Sequence, residues 1–233
     1  CLDNIETIKN SLKQERNCIA IPVSAITKNL EGKKLVDIEK ISPYVAGFSD
    51  DGNCLTDLSL FREALSTKQL ILVHCEPETE YIEKYLEILK DVKNARLHIQ
   101  HVSRAESVEI IREAKKSLKF TCETCPHYFN FTKESGLGVN PELGTNEDIE
   151  KIKVGLADNT IDVIASDYAP EPRPKRTGIA RFEWLYNLPL NLVKDGILTE
   201  KQLFAKISEN PSKIIREKDL LNSLNTKSLS LEE

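Results

Sequence analysis

The chain has 233 residues, contains no methionine and begins with a cysteine. At an ordinary frequency of about 2%, a chain of this length would hold about five methionines. We therefore expect the given residues to be part of a longer natural polypeptide. The sequence has no apolar run that approaches the roughly 18 residues of a membrane-spanning helix. It also shows no signal peptide, so we expect a cytoplasmic protein.

Positive charge is not in excess either. The formal net charge is -5 and the pI is about 5.6, which does not favour nucleic acid or an anionic membrane as a partner. The six cysteines are scattered along the chain rather than spaced as a disulfide framework, and positions 75, 122 and 125 fall in strand-like runs. This usage indicates reduced thiols.

The sequence alternates apolar strand-like runs with amphipathic helical runs. We predict strands at 18–26, 44–48, 70–73, 97–99, 120–124 and 161–167. Helices are predicted between and after them, with capping boxes that start at Ser103, where Glu106 is the partner, and at Thr199. Such alternation is typical of an α/β fold with a parallel sheet, either an open doubly wound sheet or a closed barrel. No Gly-x-Gly-x-x-Gly follows a strand, which argues against a dinucleotide-binding sheet.

The run at 161–167 carries four branched apolar residues in five positions and then reaches Asp167. Such a strand is covered on both faces, and its carboxyl end is where α/β enzymes hold catalytic groups. Taken alone, Asp167 could equally cap a turn.

Three of the four histidines also stand at or just beyond strand ends, and so does Asp51. In a closed barrel these ends meet on one face, so His74, His101, Asp51 and Asp167 would converge. Imidazole and carboxylate groups are ligands that Zn²⁺ accepts. His98 lies inside a strand and is interpreted as structural. The segment Thr124 to His127 is interpreted as a strand exit forced by proline. The single Cys-x-x-Cys of Cys122 and Cys125 is weak evidence for a zinc or redox site.

In order and spacing, several motifs resemble those of dihydroorotase in the amidohydrolase superfamily. They are FSDDG at 48–52, HCE at 74–76, HIQHVS at 98–103, TCETCPH at 121–127, VNPEL at 139–143 and the run at 161–170. The resemblance covers roughly residues 18 to 215. It implies a metal-dependent (β/α)₈ TIM barrel that interconverts L-dihydroorotate and N-carbamoyl-L-aspartate in pyrimidine biosynthesis.

The resemblance also implies roles for single residues. His74, His101, Asp51 and Asp167 would hold one or two Zn²⁺ ions, with Asp50 the less favoured neighbour of Asp51. Asp167 would be the catalytic base. Asn140 and Glu171 would face the substrate.

The chain departs from the family pattern at several places. The first two strands, with their His-x-His pair, are not found, so a partial barrel domain is expected over 1–218, followed by a polar tail over 219–233. Tyr168, Glu142, Gly144 and Glu171 replace the His, Pro, Arg and His of the family. Two alternatives therefore stay open: a catalytically impaired homologue with a structural or partner-binding role, or a hydrolase of another cyclic amide, as in hydantoinases and allantoinases. The expected partners are a small cyclic amide, further copies of the chain and a transcarbamoylase.

Overall fold

The computed structural model describes residues 5–12, 20–170, 179–216 and 219. Contacts divide the chain into two compact units. Unit 1 comprises Cys1–His74, Lys84–His98 and Ser212–Glu233, and unit 2 comprises Cys75–Glu83 and Ile99–Pro211. The predicted C-terminal tail lies almost wholly outside the described residues.

Helices and short strands alternate through the described part of the chain, as predicted. The strands are β1 (Leu70–Val73), β2 (Arg96–Ile99), β3 (Thr121–Thr124) and β4 (Val163–Ile164). The helices are α1 (Ile5–Leu12), α2 (Ile38–Ile41), α3 (Leu58–Ser66), α4 (Glu78–Asp91), α5 (Ala105–Ala114), α6 (Asn146–Ala157), α7 (Trp184–Asn187), α8 (Leu190–Lys194), α9 (Glu200–Phe204) and α10 (Asn210–Ile215). A π-helical turn, Ala205–Glu209, joins the last two.

In unit 1, the first two predicted strands form extended segments that pair only at isolated positions. Ser24 bridges Phe48 in parallel, and Phe48 bridges Ile71 of β1 in parallel. Gly47 allows this close approach, because a Cβ there would lie 2.7 Å from the carbonyl oxygen of Leu70. The strand predicted at 44–48 starts late, since Ser42–Tyr44 forms a 3₁₀ turn. Positions 18 and 19 of the first predicted strand are outside the described residues.

In unit 2, β3 and β4 pair in parallel, with Glu123 opposite Val163 and Thr124 opposite Ile164. β4 is shorter than the predicted strand at 161–167. Backbone hydrogen bonds from Asp162 to Cys122 and from Ala165 to Thr124 flank the ladder. The chain leaves the sheet before Asp167, which has a left-handed backbone conformation that a strand does not accommodate.

The helix starts confirm part of the capping prediction and contradict part. Both reciprocal hydrogen bonds of a capping box are present at Thr199 with Gln202, as predicted, and a further capping box is present at Thr145 with Asp148. The box predicted at Ser103 is wrong, because α5 starts one residue later and has no capping side chain of its own. A carboxylate from another helix occupies that role, as described below. Among the described residues, no helix has the length and apolar character needed to cross a membrane.

Candidate active site

Two neighbouring aspartates follow the extended segment that ends at Ser49, and they differ in environment. Asp50 is buried and accepts hydrogen bonds from the backbone N–H groups of Ile26 and Thr27, both at 2.8 Å, and from the Thr27 hydroxyl. These hydrogen bonds connect the segment at Asp50 to the segment at Ile26 and Thr27, and they use both oxygens of the Asp50 carboxylate as acceptors. Asp51 is exposed, and its Oδ1 lies 3.2 Å from Nε2 of His74. The preference for Asp51 over Asp50 as a ligand therefore has a physical basis.

His74 stands directly after β1 and is mostly buried, with its side chain 15% exposed. The strand fixes its position, since the residue before it is the buried Val73. Unit 1 thus presents an imidazole and a carboxylate side by side at a strand end. Such a pair can serve as two ligands of one metal ion or as a ligand and its orienting partner.

Unit 2 presents a second group of donor atoms. Cys125, His127 and Asp167 each offer one ligand atom, and these atoms lie within 4.8 Å of one another. Cys125 and His127 follow β3, and Asp167 follows β4, so the parallel pairing of the two strands brings their carboxyl ends together. The distance from His127 Nε2 to Asp167 Oδ2 is 3.6 Å. A group that could hold a metal ion is therefore present.

Burial controls the protonation of this group. The His127 side chain is 1% exposed, and burial, together with the nearby charge of His101, lowers its pKa to about 3. The Asp167 carboxylate favours the protonated ring, but the desolvation of an imidazolium outweighs that attraction. Burial also raises the pKa of the Cys125 thiol well above its usual value, and the charge of Asp167 acts in the same direction. Near neutral pH, His127 is a neutral imidazole and Cys125 a thiol.

Two of the predicted site residues hold a strained backbone. His101 has φ 38° and Asp167 has φ 47°, in the left-handed region that residues other than glycine rarely adopt. His101 is also buried. Conformations of this kind cost about 1–3 kcal/mol each and persist where the surrounding structure imposes them, often at functional sites. The strain supports a functional interpretation of both strand ends.

The segment after His101 is held by a carboxylate of another helix. Glu78, at the start of α4, accepts hydrogen bonds from the Ser103 N–H at 3.0 Å, the Ser103 hydroxyl and the Arg104 N–H at 3.1 Å. Burial raises the pKa of Glu78 although these hydrogen bonds act to lower it. Glu78 therefore replaces the predicted capping box and fixes the exit of the chain from β2.

Asn140 is exposed on the loop that precedes α6. The hydroxyl of the buried Tyr128 donates a hydrogen bond of 2.9 Å to the carbonyl of Pro141, and Arg104 donates one of 3.0 Å to the carbonyl of Glu142. The loop borders a cavity of about 910 Å³ within unit 2, lined by eight carboxylate side chains together with Arg104 and Lys151. The cavity beside Asn140 is therefore acidic.

The remaining predictions vary in outcome. His98 lies buried within β2, as its place in the sequence indicated. Glu171 is outside the described residues. The convergence of all four predicted metal ligands stays a prediction, since His74 and Asp51 belong to unit 1 and His101 and Asp167 to unit 2.

Sequence reasoning gave too little weight to Cys125 and His127. Both were interpreted as parts of a strand exit, yet the structure places them beside Asp167. One signal was available: His127 follows a predicted strand end in the same way as His74 and His101 do.

No protein-family model matches the chain. Among curated proteins, it is 32% identical to the dihydroorotase of Syntrophus aciditrophicus over 262 residues, covering 91% of this chain and 62% of that protein. It is 33% identical to the dihydroorotase of Acetivibrio thermocellus over 259 residues, covering 91% and 61%. The chain thus spans about six-tenths of the length of these relatives.

Solved structures show the same fold. The dihydroorotase of Campylobacter jejuni matches with a TM-score of 0.72 at 18% identity, covering 91% of this chain and 71% of that one. The L-hydantoinase of Arthrobacter aurescens matches with a TM-score of 0.69 at 20% identity, covering 82% and 55%. These neighbours are TIM-barrel amidohydrolases, which confirms the α/β class with a parallel sheet and part of a barrel, whereas the absence of the family's first two strands stays a prediction. The sequence matches confirm the resemblance drawn from the motifs: over nine-tenths of its length, this chain is similar to dihydroorotases.

Proposed function

We propose that this protein is a metal-dependent hydrolase of a cyclic amide that interconverts L-dihydroorotate and N-carbamoyl-L-aspartate. The observation that carries the proposal is the placement of imidazole and carboxylate groups at strand ends, as His74 with Asp51 and as His127 with Asp167. The similarity to dihydroorotases over nine-tenths of the chain supports it. The same similarity does not favour the alternatives of a purely structural role or of a hydantoin or allantoin substrate.

The residues present fit a divalent metal ion. Imidazole nitrogens and carboxylate oxygens are donors that Zn²⁺ accepts, and Asp167 belongs to a group of side chains whose ligand atoms lie within 4.8 Å of one another. His74, His101, Asp51 and Asp167 would hold one or two zinc ions. When bound, the ion supplies a lowered pKa for a coordinated water molecule and polarises the ring carbonyl.

Asp167 is the proposed catalytic base. Its carboxylate accepts a proton from the attacking water while a carbon–oxygen bond forms at the ring carbonyl. The ring carbon–nitrogen bond then breaks, and the same proton passes to the leaving nitrogen, so that one water molecule is consumed for each ring opened. A side chain 32% exposed, as that of Asp167 is, can reach both solvent and substrate.

Asn140 is proposed to contact the substrate, and Glu171 to stand beside it. The acidic cavity that borders Asn140 and the negative charge of Glu171 both disfavour a dianionic ligand by Coulomb repulsion. We therefore expect a high KM for N-carbamoyl-L-aspartate, which carries two carboxylates, and a lower KM for dihydroorotate, which carries one.

Several further expectations belong to the proposal. The barrel domain would extend over 1–218, with the polar tail over 219–233 and with the first two strands of the family outside the given residues. The protein would act in the cytoplasm on a small cyclic amide. A homo-oligomer and a transcarbamoylase are the proposed protein partners.

The test is a ring-opening and ring-closing assay on the full-length protein, combined with metal analysis. We expect bound zinc and turnover of dihydroorotate, and a loss of about 10²–10⁴-fold in kcat for Asp167→Asn. Asp91→Asn, which alters an exposed ion pair with Arg62, is the matched control and should keep full activity. If the zinc-loaded protein opens hydantoin but not dihydroorotate, the proposed substrate is wrong. If the protein binds no zinc and turns over neither compound, the proposal that it is an enzyme is wrong.

A further inference from the structure

His127 belongs to unit 2's donor group, but the proposed function assigns it neither to the metal nor to the proton transfer. Its Nε2 atom is buried and lacks a hydrogen-bond partner, and the nearby acceptor is Oδ2 of Asp167, at 3.6 Å. The ring packs against Tyr128, with centroids 4.1 Å apart. The Tyr128 hydroxyl is itself held by the Pro141 carbonyl. The imidazole therefore has a fixed position on one side of the Asp167 carboxylate.

We propose that His127 is a positioning residue whose Nε2–H donates a hydrogen bond to Asp167 and so orients this carboxylate toward the metal and the water. The inference rests on the proposed function, since it assigns a supporting residue to the same site. It concerns an atom pair that can also be observed directly in the metal-free protein.

Three features support a donor rather than a ligand. A buried polar atom is seldom left unpaired in a folded protein, so a movement of a few tenths of an ångström that closes the gap to Asp167 is favourable. An unprotonated Nε2 would direct a lone pair at a carboxylate, so the Nε2–H tautomer is the one that fits. The ring also packs against Tyr128, so Nε2 is held beside Oδ2 of Asp167.

The role differs from that of a zinc ligand. A ligand needs an unprotonated nitrogen directed at the ion, whereas His127 would direct a proton at the ligand's oxygen. Carboxylates that bind metal are commonly oriented by such a donor, and removal of the donor typically weakens metal binding 10–100-fold. A donor that keeps the same reach should restore binding.

The first test uses ¹⁵N-histidine NMR on the metal-free, full-length protein. We expect a neutral His127 ring with its proton on Nε2, and we expect this proton resonance to move in Asp167→Ala. An Nδ1–H tautomer, or a resonance that Asp167→Ala leaves in place, would overturn the inference whether or not the protein binds zinc or turns over dihydroorotate.

The second test measures zinc affinity by competition with a chromophoric chelator. His127→Leu, which removes the donor but keeps an apolar side chain in the buried site, should weaken zinc binding 10–100-fold. His127→Gln, whose amide nitrogen reaches as far as Nε2, should restore it to within about threefold of the unaltered protein. His98→Gln, at a buried histidine in β2, is the control for general disruption. Unchanged affinity in His127→Leu would show a merely structural residue, and equal losses in both variants would show a ligand.

Discussion

Gly144 lies so close to Asp148 that a Cβ at position 144 would be 2.5 Å from Oδ2 and 2.8 Å from the Cβ of Asp148. The aspartate cannot easily turn away, because it accepts hydrogen bonds from the Thr145 N–H and from the Ala105 N–H, both at 2.7 Å. One carboxylate thus caps α6 and also holds the start of α5. This arrangement explains in physical terms why a glycine stands where the family resemblance suggests an arginine.

Replacing Gly144 by alanine should destabilise the protein by about 1–3 kcal/mol, because the methyl group displaces the capping carboxylate. Urea unfolding measures the effect. In a background that already carries Asp148→Gly, which removes the Cβ as well as the carboxylate, the same replacement should have little further effect, since the steric partner is gone. An equal loss of stability in both backgrounds would show that a clash with Asp148 is not the cause.

Removing the acceptor capacity of Glu78 should loosen the segment after His101. In Glu78→Ala, the N–H groups of Ser103 and Arg104 lose their acceptor. We expect a loss of about 1–3 kcal/mol in the free energy of unfolding. Glu106→Ala, at an exposed residue in the first turn of α5, is the matched control and should be nearly neutral.

The buried His127 should make stability depend on acid pH. Its pKa is about 3 in the folded protein and near 6.5 in an unfolded chain, so the unfolded state binds more protons between these values. Stability is then fully present above about pH 6.5 and is lost progressively as the pH falls toward 3, by an amount on the order of a few kcal/mol. Plots of the free energy of unfolding against pH, measured for the unaltered protein and for His127→Gln, should converge at acid pH and differ in slope between pH 4 and 6. Parallel curves would show that another group is responsible.

Lys206 should be needed for the start of β4. It is 1% exposed, and its ammonium group donates hydrogen bonds to the Ile161 carbonyl at 2.7 Å and to Asn159 Oδ1 at 3.2 Å. Lys206→Met keeps the apolar stem but leaves the buried Ile161 carbonyl without this donor, and should destabilise by about 1–3 kcal/mol. Lys201→Met on the exposed face of α9 tests for effects of charge alone, and both can be compared by thermal unfolding. A Tm for Lys206→Met at or above that of the control would contradict the prediction.

The sequence was sufficient for much of the fold. β1 and β3 were predicted within one residue, because their apolar periods are regular and their ends carry clear signals. The box at Ser103 failed for a tertiary reason, since the competing carboxylate comes from Glu78, 25 residues earlier in the chain. Local patterns do not contain such a partner.

The site was predictable to the extent that strand ends mark it. The family resemblance favoured Asp51 over Asp50 as a metal ligand. The structural difference between them is that Asp50 accepts hydrogen bonds from Ile26 and Thr27, and the contact with Ile26 spans 24 residues of sequence. The grouping of Cys125 and His127 with Asp167 was missed because Cys-Pro-His is an ordinary sequence for a turn after a strand. The three side chains come together only through the pairing of β3 with β4, which the local sequence does not show.

The left-handed backbones of His101 and Asp167 have a consequence for protein engineering. Glycine or asparagine at either position would relieve strain and remove a proposed metal ligand in one step. A library screened only for thermal resistance should therefore enrich glycine and asparagine at these two positions and recover well-folded variants that no longer bind metal. A second screen for metal retention would separate those variants from useful ones.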